Sequence, residues 1–247
     1  MEIRNVDGTN IASITKEKAR EVKAKVDANG LCIWSMGSPI GKIGIEDDFQ
    51  PHLEQFKHTL ELAEIMNCKN IRMFSFFMPE NKPADIYKDE VFERLEKFVD
   101  VAKNYDIVLC HENEKDIYGD IPERCIEIHK NFPEIKGVFD PANFVQCGVD
   151  TLNAWEMLKN YIHYIHVKDA TADGHVVPAG KGNGNVQTIA KDFISRGGNS
   201  FTIEPHLTVF GGFNQLERSN QSIISDFSFP NSDVAFDTAC SSFKNLL

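Results

Sequence analysis

The sequence predicts a (β/α)8 TIM-type barrel whose first strand is missing from the chain, and three observations point there. Apolar runs of strand length alternate with amphipathic stretches of helix length along all 247 residues, the pattern of right-handed βαβ units on a parallel sheet. That length suits one α/β barrel. The last four strands all end in ionisable residues, and a closed barrel brings such ends to one face, whereas an open sheet with helices on both sides would not make all four converge. Seven strands are predicted, so either the barrel's first strand is expected before Met1 or the barrel closes in an unusual way. The chain is read as a single domain, 1–247.

Residues 2–6 form the end of a strand, and Lys16 to Asn29 have a helical composition. Leu31 to Met36 is a short apolar strand closed by Gly37-Ser38-Pro39. A helix runs from Asp47 or Asp48 to about Met66, with Leu53, Phe56, Leu60 and Ala63 as its apolar stripe. Asn70 to Phe77 is the next strand. The helix over Asp89 to Asn104 carries Val91, Phe92, Leu95, Phe98, Val99 and Ala102 on one face.

Ile107 to Glu112 is an apolar strand that ends abruptly in His111-Glu112-Asn113-Glu114. Asp120 caps a helix with Pro122 in its first turn, reaching Lys130. Ile135 to Phe139 is a strand ending in Asp140-Pro141, and Asp150 caps the helix carrying Leu152, Trp155 and Leu158. Tyr161 to Val167 is a strand, followed by a glycine-bearing loop over Lys168 to Gly184. A helix from Asn185 to Arg196 precedes the strand Phe201-Thr202-Ile203, which ends in Glu204-Pro205-His206. A polar, weakly patterned segment spans 211–231. The final helix begins near Ser232, with Phe236, Ala239, Phe243 and Leu247 as its inner face.

The net charge of −11, from 37 acidic and 26 basic residues, argues against a nucleic-acid partner, because phosphate binding draws its affinity from Lys and Arg. The six cysteines, 32, 68, 110, 125, 147 and 240, lack metal-site or disulfide spacing and read as buried, reduced thiols. No apolar run approaches the ~18 residues of a membrane span, and the N-terminus lacks a signal-peptide pattern. A cytoplasmic location with no membrane partner is expected.

A carboxylate at the edge of an apolar core needs compensation, since desolvating an unpaired one costs several kcal/mol. Glu112 is such a group, and Asp140, His166 and Glu204 occupy the equivalent place on the next three strands. All four can point into one mouth of a barrel. Three carboxylates and an imidazole are a hard set suited to Mn²⁺ or Mg²⁺, with Co²⁺ or Zn²⁺ as alternatives.

The segments Leu109-Cys110-His111-Glu112-Asn113, Gly137-Val138-Phe139-Asp140, Ile165-His166-Val167-Lys168-Asp169 and Thr202-Ile203-Glu204-Pro205 resemble the metal-ligand strands of the sugar isomerase/epimerase family with the xylose-isomerase-like barrel. That family includes ketose 3-epimerases, hydroxypyruvate isomerase, inosose dehydratase and, more distantly, endonuclease IV. The resemblance implies one divalent ion, Mn²⁺ first, held by Glu112, Asp140, His166 and Glu204. It implies proton exchange by Glu112 and Glu204 next to a metal-bound carbonyl, through an enediolate. It also implies a small sugar or sugar-phosphate substrate and a homo-oligomer.

Two positions depart from the ketose 3-epimerases: Asn143 stands where they carry a histidine, and Tyr118 where they carry a substrate-holding glutamate. Asn143, Lys168, His175 and His206 are therefore the substrate-shell candidates, since Lys or His can bind a carboxylate or phosphate. The alternatives are a metal-dependent dehydratase of an inosose-like substrate and a non-catalytic sugar-binding barrel. Endonuclease IV-like repair is disfavoured: Asp173-Gly174-His175 resembles part of its zinc cluster, but Asn143 replaces a zinc histidine and the strand over Asn70 to Phe77 ends without one. Gly180-Lys181-Gly182-Asn183-Gly184 lacks the order of a phosphate loop and reads as a barrel loop, with phosphate contact a weak option. His52, His58, His129 and His163 lack a partner pattern and read as structural or exposed.

Overall fold

The computed structural model describes residues 1–207 and 229–247, so most of the segment predicted over 211–231 lies outside the described residues. Seven strands are hydrogen-bonded in chain order: β1 (Glu2–Ile3), β4 (Ser35–Met36), β5 (Asn70–Met73), β6 (Val108–Glu112), β7 (Lys136–Phe139), β8 (Ile162–Val167) and β11 (Phe201–Ile203). Four short strands form two separate hairpins, β2 (Asn5–Val6) with β3 (Thr9–Asn10) and β9 (Asp169–Ala170) with β10 (Val176–Val177). The described residues group into two compact units. The first comprises Met1–Glu112, Asp116–Gly119 and Glu123–Gly137, and the second Asn113–Lys115, Asp120–Pro122 and Val138–Leu247.

In the first unit β1, β4, β5 and β6 pair in parallel, with Ile3 opposite Met36, Met36 opposite Ile71 and Arg72 opposite Cys110. The helices of the unit are α1 (Lys16–Ala28), α2 (Phe49–Ile65) and α3 (Lys88–Ala102), with α4 (Pro122–Asn131) beginning at its edge. Asp48 caps α2 by accepting from the Gln50 amide at 3.0 Å, as its sequence position implies. The predicted stripes of α2 and α3 meet: Phe56 and Phe98 are fully buried with ring centroids 4.7 Å apart. Phe76 stacks on Phe98 from the other side at 5.9 Å.

Three predicted strands are shorter than their apolar runs. Residues 2–6 divide because Asp7 and Gly8 both have positive φ, turning Asn5–Val6 back onto Thr9–Asn10 as a hairpin. Only Ser35 and Met36 of the 31–36 run enter the sheet. The 70–77 run stops at Met73 because Phe76 adopts φ +68 and the Phe74 and Phe76 amides turn to the carbonyls of Ile40 and Gly41. Gly41 is required where it is, since a Cβ there would lie 2.0 Å from the Phe74 carbonyl oxygen.

Of the histidines read as structural or exposed, His52 and His129 are buried and His163 is exposed. The Gly41 amide donates to His52 Nε2 at 2.7 Å, which requires that nitrogen to be unprotonated. Burial pulls His52 down to about 4, aided by Arg94 and opposed by a bond with Gln55. Burial also pulls His129 down to about 4, against a bond to the Ile135 carbonyl. Both groups are harder to protonate folded than unfolded, so the unfolded chain takes up the extra protons as pH falls. Stability is expected to be full above about pH 6.5 and to decline toward pH 4, by up to about 1.4 kcal/mol per pH unit for each histidine. Urea unfolding at pH 7.5, 6 and 5 checks this, and a flat midpoint would refute it.

In the second unit β8 and β11 pair in parallel, with Thr202 opposite His166. Around them lie α5 (Pro141–Gln146), α6 (Thr151–Leu158), α7 (Val186–Ser195) and α8 (Ser232–Lys244). Phe139 meets the buried Trp155 ring edge-on at 5.3 Å, and the Trp155 indole donates to Asp192 at 2.8 Å. The inner face of α8 is Ala235, Ala239 and Phe243, whereas Phe236 and Leu247 are 51% and 54% exposed. The buried residues recur every four positions, and Phe236 lies one step round from Ala235, off that line.

The cysteines are only half as the sequence suggested: Cys68, Cys110 and Cys125 are buried, Cys32 is exposed, and Cys147 and Cys240 are intermediate. Cys32 belongs to the part of the 31–36 run that does not enter the sheet. Among the described residues no helix is long and apolar enough to cross a membrane.

Candidate functional site

The four predicted strand-end residues are buried or nearly so, and each follows from its strand. β6 is apolar through Cys110 and ends in His111 and Glu112, the Glu112 side chain being 1% exposed. β7 ends at Phe139, so Asp140 becomes the cap of α5, accepting from the Asn143 amide at 3.0 Å with Pro141 in the first turn. His166 lies in β8 with no exposed surface, and Glu204 follows β11, its amide bonded to the Val167 carbonyl. Within the second unit, Asp140, His166 and Glu204 each offer one donor atom, and these atoms lie within 4.8 Å of one another.

Inside the second unit, His166 Nδ1 is 3.4 Å from Glu204 Oε2 and 4.0 Å from Asp140 Oδ2. Lys168 Nζ is 2.9 Å from Asp140 Oδ2 and 3.6 Å from Glu204 Oε2, and it donates to Asn143 Oδ1 at 2.8 Å. The Asn143 amide in turn donates to the Asn113 carbonyl, 2.9 Å away. Asn113 brackets Asp140 from the other side: its Nδ2 donates to the Asp140 carbonyl and its Oδ1 accepts from the Asp140 amide, both at 2.9 Å. Asn113 was legible only as part of the four-segment motif. Its signal is an amide next to a buried acid, since an amide can bond a peptide group at both ends without adding charge.

Burial alone would raise the Glu204 carboxyl, but His206, Lys168 and His166 together hold it well below the ordinary carboxylate range. His206 Nε2 is 3.6 Å from Glu204 Oε1, placed there by a backbone with φ +43. Asn143, Lys168 and His206 thus gather around the acidic residues. His175 sits instead at the start of β10, its carbonyl accepting from the Thr171 amide and its side chain acting on the charge of Asp173.

Two other sequence features resolve differently. The glycine-rich loop already holds an internal anion: Asp169 Oδ2 accepts from the Gly180 and Gly182 amides, and Oδ1 from Gly184 and Ala170, at 2.8–3.0 Å. The amides a phosphate would use are turned to that carboxylate. Tyr118, at the epimerase glutamate position, is fully buried and donates to Glu127 Oε2 at 2.6 Å. The sequence reading also overlooked Arg72 on β5, whose Nη1 lies 3.1 Å from Glu112 Oε2.

The donor set fits a divalent ion. Its oxygens and imidazole nitrogen suit Mg²⁺, Mn²⁺ or Zn²⁺. Two donors on opposite sides of such an ion stand about 4 Å apart at usual bond lengths, a separation of the same order as the spacing of Asp140, His166 and Glu204.

Three carboxylates and an imidazole stand at successive strand ends of a parallel α/β sheet. A family model described as "Xylose isomerase-like TIM barrel" matches residues 1–223. The chain belongs to the xylose isomerase-like TIM barrel family. None of the curated proteins matches.

Among solved structures, D-psicose 3-epimerase with D-tagatose from Clostridium cellulolyticum H10 is similar at 13% identity and TM-score 0.69, covering 94% of this chain and 83% of that one. The probable 3-DHS dehydratase AsbF of Bacillus anthracis is similar at 17% identity and TM-score 0.68, covering 93% and 81%. The IOLI protein with a zinc atom is similar at 13% and 0.68, covering 99% and 86%. At these identities the likeness is one of fold.

Proposed function

We propose that this protein is a divalent-metal-dependent isomerase or epimerase of a sugar or sugar phosphate, Mn²⁺ being the first candidate ion. The observation carrying this reading is the meeting of Asp140, His166 and Glu204 within 4.8 Å, with Glu112, buried at the end of β6, as the fourth ligand proposed. A divalent ion held by these four side chains would polarise a substrate carbonyl and stabilise the negative charge of an enediolate. Glu112 and Glu204 carry the proton, one removing it from the carbon next to the carbonyl and the other returning one. Return to the opposite face of the same carbon epimerises, and return to the neighbouring carbon isomerises.

Asp140 and His166 serve as ligands only. Asn143 and Lys168 hold the Asp140 carboxylate, Lys168 is the residue proposed to meet a substrate oxygen, and His206 flanks Glu204 from the other side. No described contact supports a substrate role for His175.

Protein reconstituted with Mn²⁺, Mg²⁺, Co²⁺ or Zn²⁺ is expected to retain a single ion per chain by metal analysis. A panel of ketoses, keto acids and inososes followed by NMR in D₂O separates the readings. Deuterium entering without loss of water supports the isomerase or epimerase, and elimination of water supports a dehydratase. A barrel that binds sugars and exchanges nothing, or one that retains no ion, overturns the proposal.

A further inference from the structure

We infer that Arg72 is a positioning residue for Glu112, holding that carboxylate where the ion of the proposed site needs it; the inference rests on the metal-site reading above. β5 is buried along its whole length, and the Arg72 side chain is 6% exposed and that of Glu112 only 1%. Arg72 lies opposite Cys110 in the parallel register. Cys110 and Glu112 are two residues apart on β6 and so face the same side. Arg72 therefore reaches one pleat along that side, and its Nη1 comes to 3.1 Å from Glu112 Oε2.

Two further groups flank the guanidinium. Its central carbon lies 5.0 Å from the Phe74 ring centroid, and its Nε lies 4.0 Å from Glu2 Oε1, on a side chain 5% exposed. The result is a buried acid–base–acid line, Glu2–Arg72–Glu112, ending on one of the four proposed ligands. A planar guanidinium held on an aromatic face fixes the direction of a carboxylate, which a flexible ammonium does not. Buried ion triads of this kind are poor sources of net stability, and partners of metal-ligating carboxylates set metal affinity.

The test measures Mn²⁺ binding by titration calorimetry on the full chain. Wild type is compared with Arg72→Met, Arg72→Lys, Glu2→Gln, Glu112→Gln and the double variant Arg72→Met/Glu112→Gln. Arg72→Met is expected to weaken Mn²⁺ binding about 10- to 100-fold, with Arg72→Lys intermediate. Because Arg72 acts through Glu112, Arg72→Met adds nothing once Glu112 is Gln. A purely structural Arg72 predicts that the folded variants keep their affinity; the melting temperature of Arg72→Met falls under either reading, because the buried carboxylates lose their cation. If Arg72→Met does not fold, Arg72→Lys decides, a loss of affinity at retained melting temperature supporting the inference. Unchanged affinity in the folded Arg72 variants, or additive losses in the double variant, overturns it. Wild type that binds no divalent ion overturns the metal-site reading and this inference together, whereas wild type that binds as Arg72→Met does overturns this inference alone.

Discussion

Glu204→Gln is expected to lower turnover about 10²- to 10⁴-fold, the range for removal of a general base, while leaving a folded chain. The glutamine keeps the shape and hydrogen-bonding oxygen of the side chain but cannot take a proton. It also removes the charge that faces His166 at 3.4 Å and Lys168 and His206 at 3.6 Å. Circular dichroism should match that of the wild type, because β11 and its pairing with β8 involve backbone groups that the substitution does not touch. Turnover above a tenth of wild type in the folded variant would remove Glu204 from the proton-transfer role.

Asp169→Ala is expected to cost roughly 2–5 kcal/mol of stability, read from the denaturant midpoint. The carboxylate is 1% exposed and accepts from four backbone amides, those of Ala170, Gly180, Gly182 and Gly184. Burial raises its pKa, and the bonds from the Gly184, Gly182, Gly180 and Ala170 amides oppose that rise. Alanine leaves the donors without an acceptor in a loop that packs tightly on the carboxylate, since a Cβ at Gly182 or Gly184 would lie 2.5 or 2.7 Å from Asp169 Oδ1. Asn is no gentler, because its NH₂ group would face two amide donors where Asp offers an oxygen. A midpoint within error of wild type for Asp169→Ala would show that water replaces the carboxylate at no cost.

The alternation of strands and helices was legible because each helix has its own apolar face and each strand an apolar run. The cap at Asp48, the stripe on α3 and the four polar strand ends all follow from local pattern. What was not legible depends on partners remote in sequence. The 31–36 and 70–77 runs read as longer strands, since an apolar run does not reveal where its backbone leaves one partner for another. At Phe74 and Phe76 that partner is the loop at Ile40 and Gly41.

The β9–β10 hairpin was hidden inside a glycine-rich segment that reads as irregular by composition. Its organiser, Asp169, is a single acid among several. At the site, Glu112, Asp140, His166 and Glu204 could be picked out by their place after apolar strands. Arg72 could have been suspected as a cation in an apolar strand, but its partners Glu2 and Glu112 come from two other strands.

The Asn113 bracket bears on whether pieces of this protein can be moved elsewhere. Its amide meets the Asp140 backbone with a donor and an acceptor in fixed order, so the direction in which the Asp140 side chain leaves the main chain is decided on the preceding βα unit. The strand ends are thus not self-contained cassettes. A graft of the Phe139-Asp140-Pro141 segment into another barrel carries the acid but not its aim, unless the residue after the previous strand travels with it.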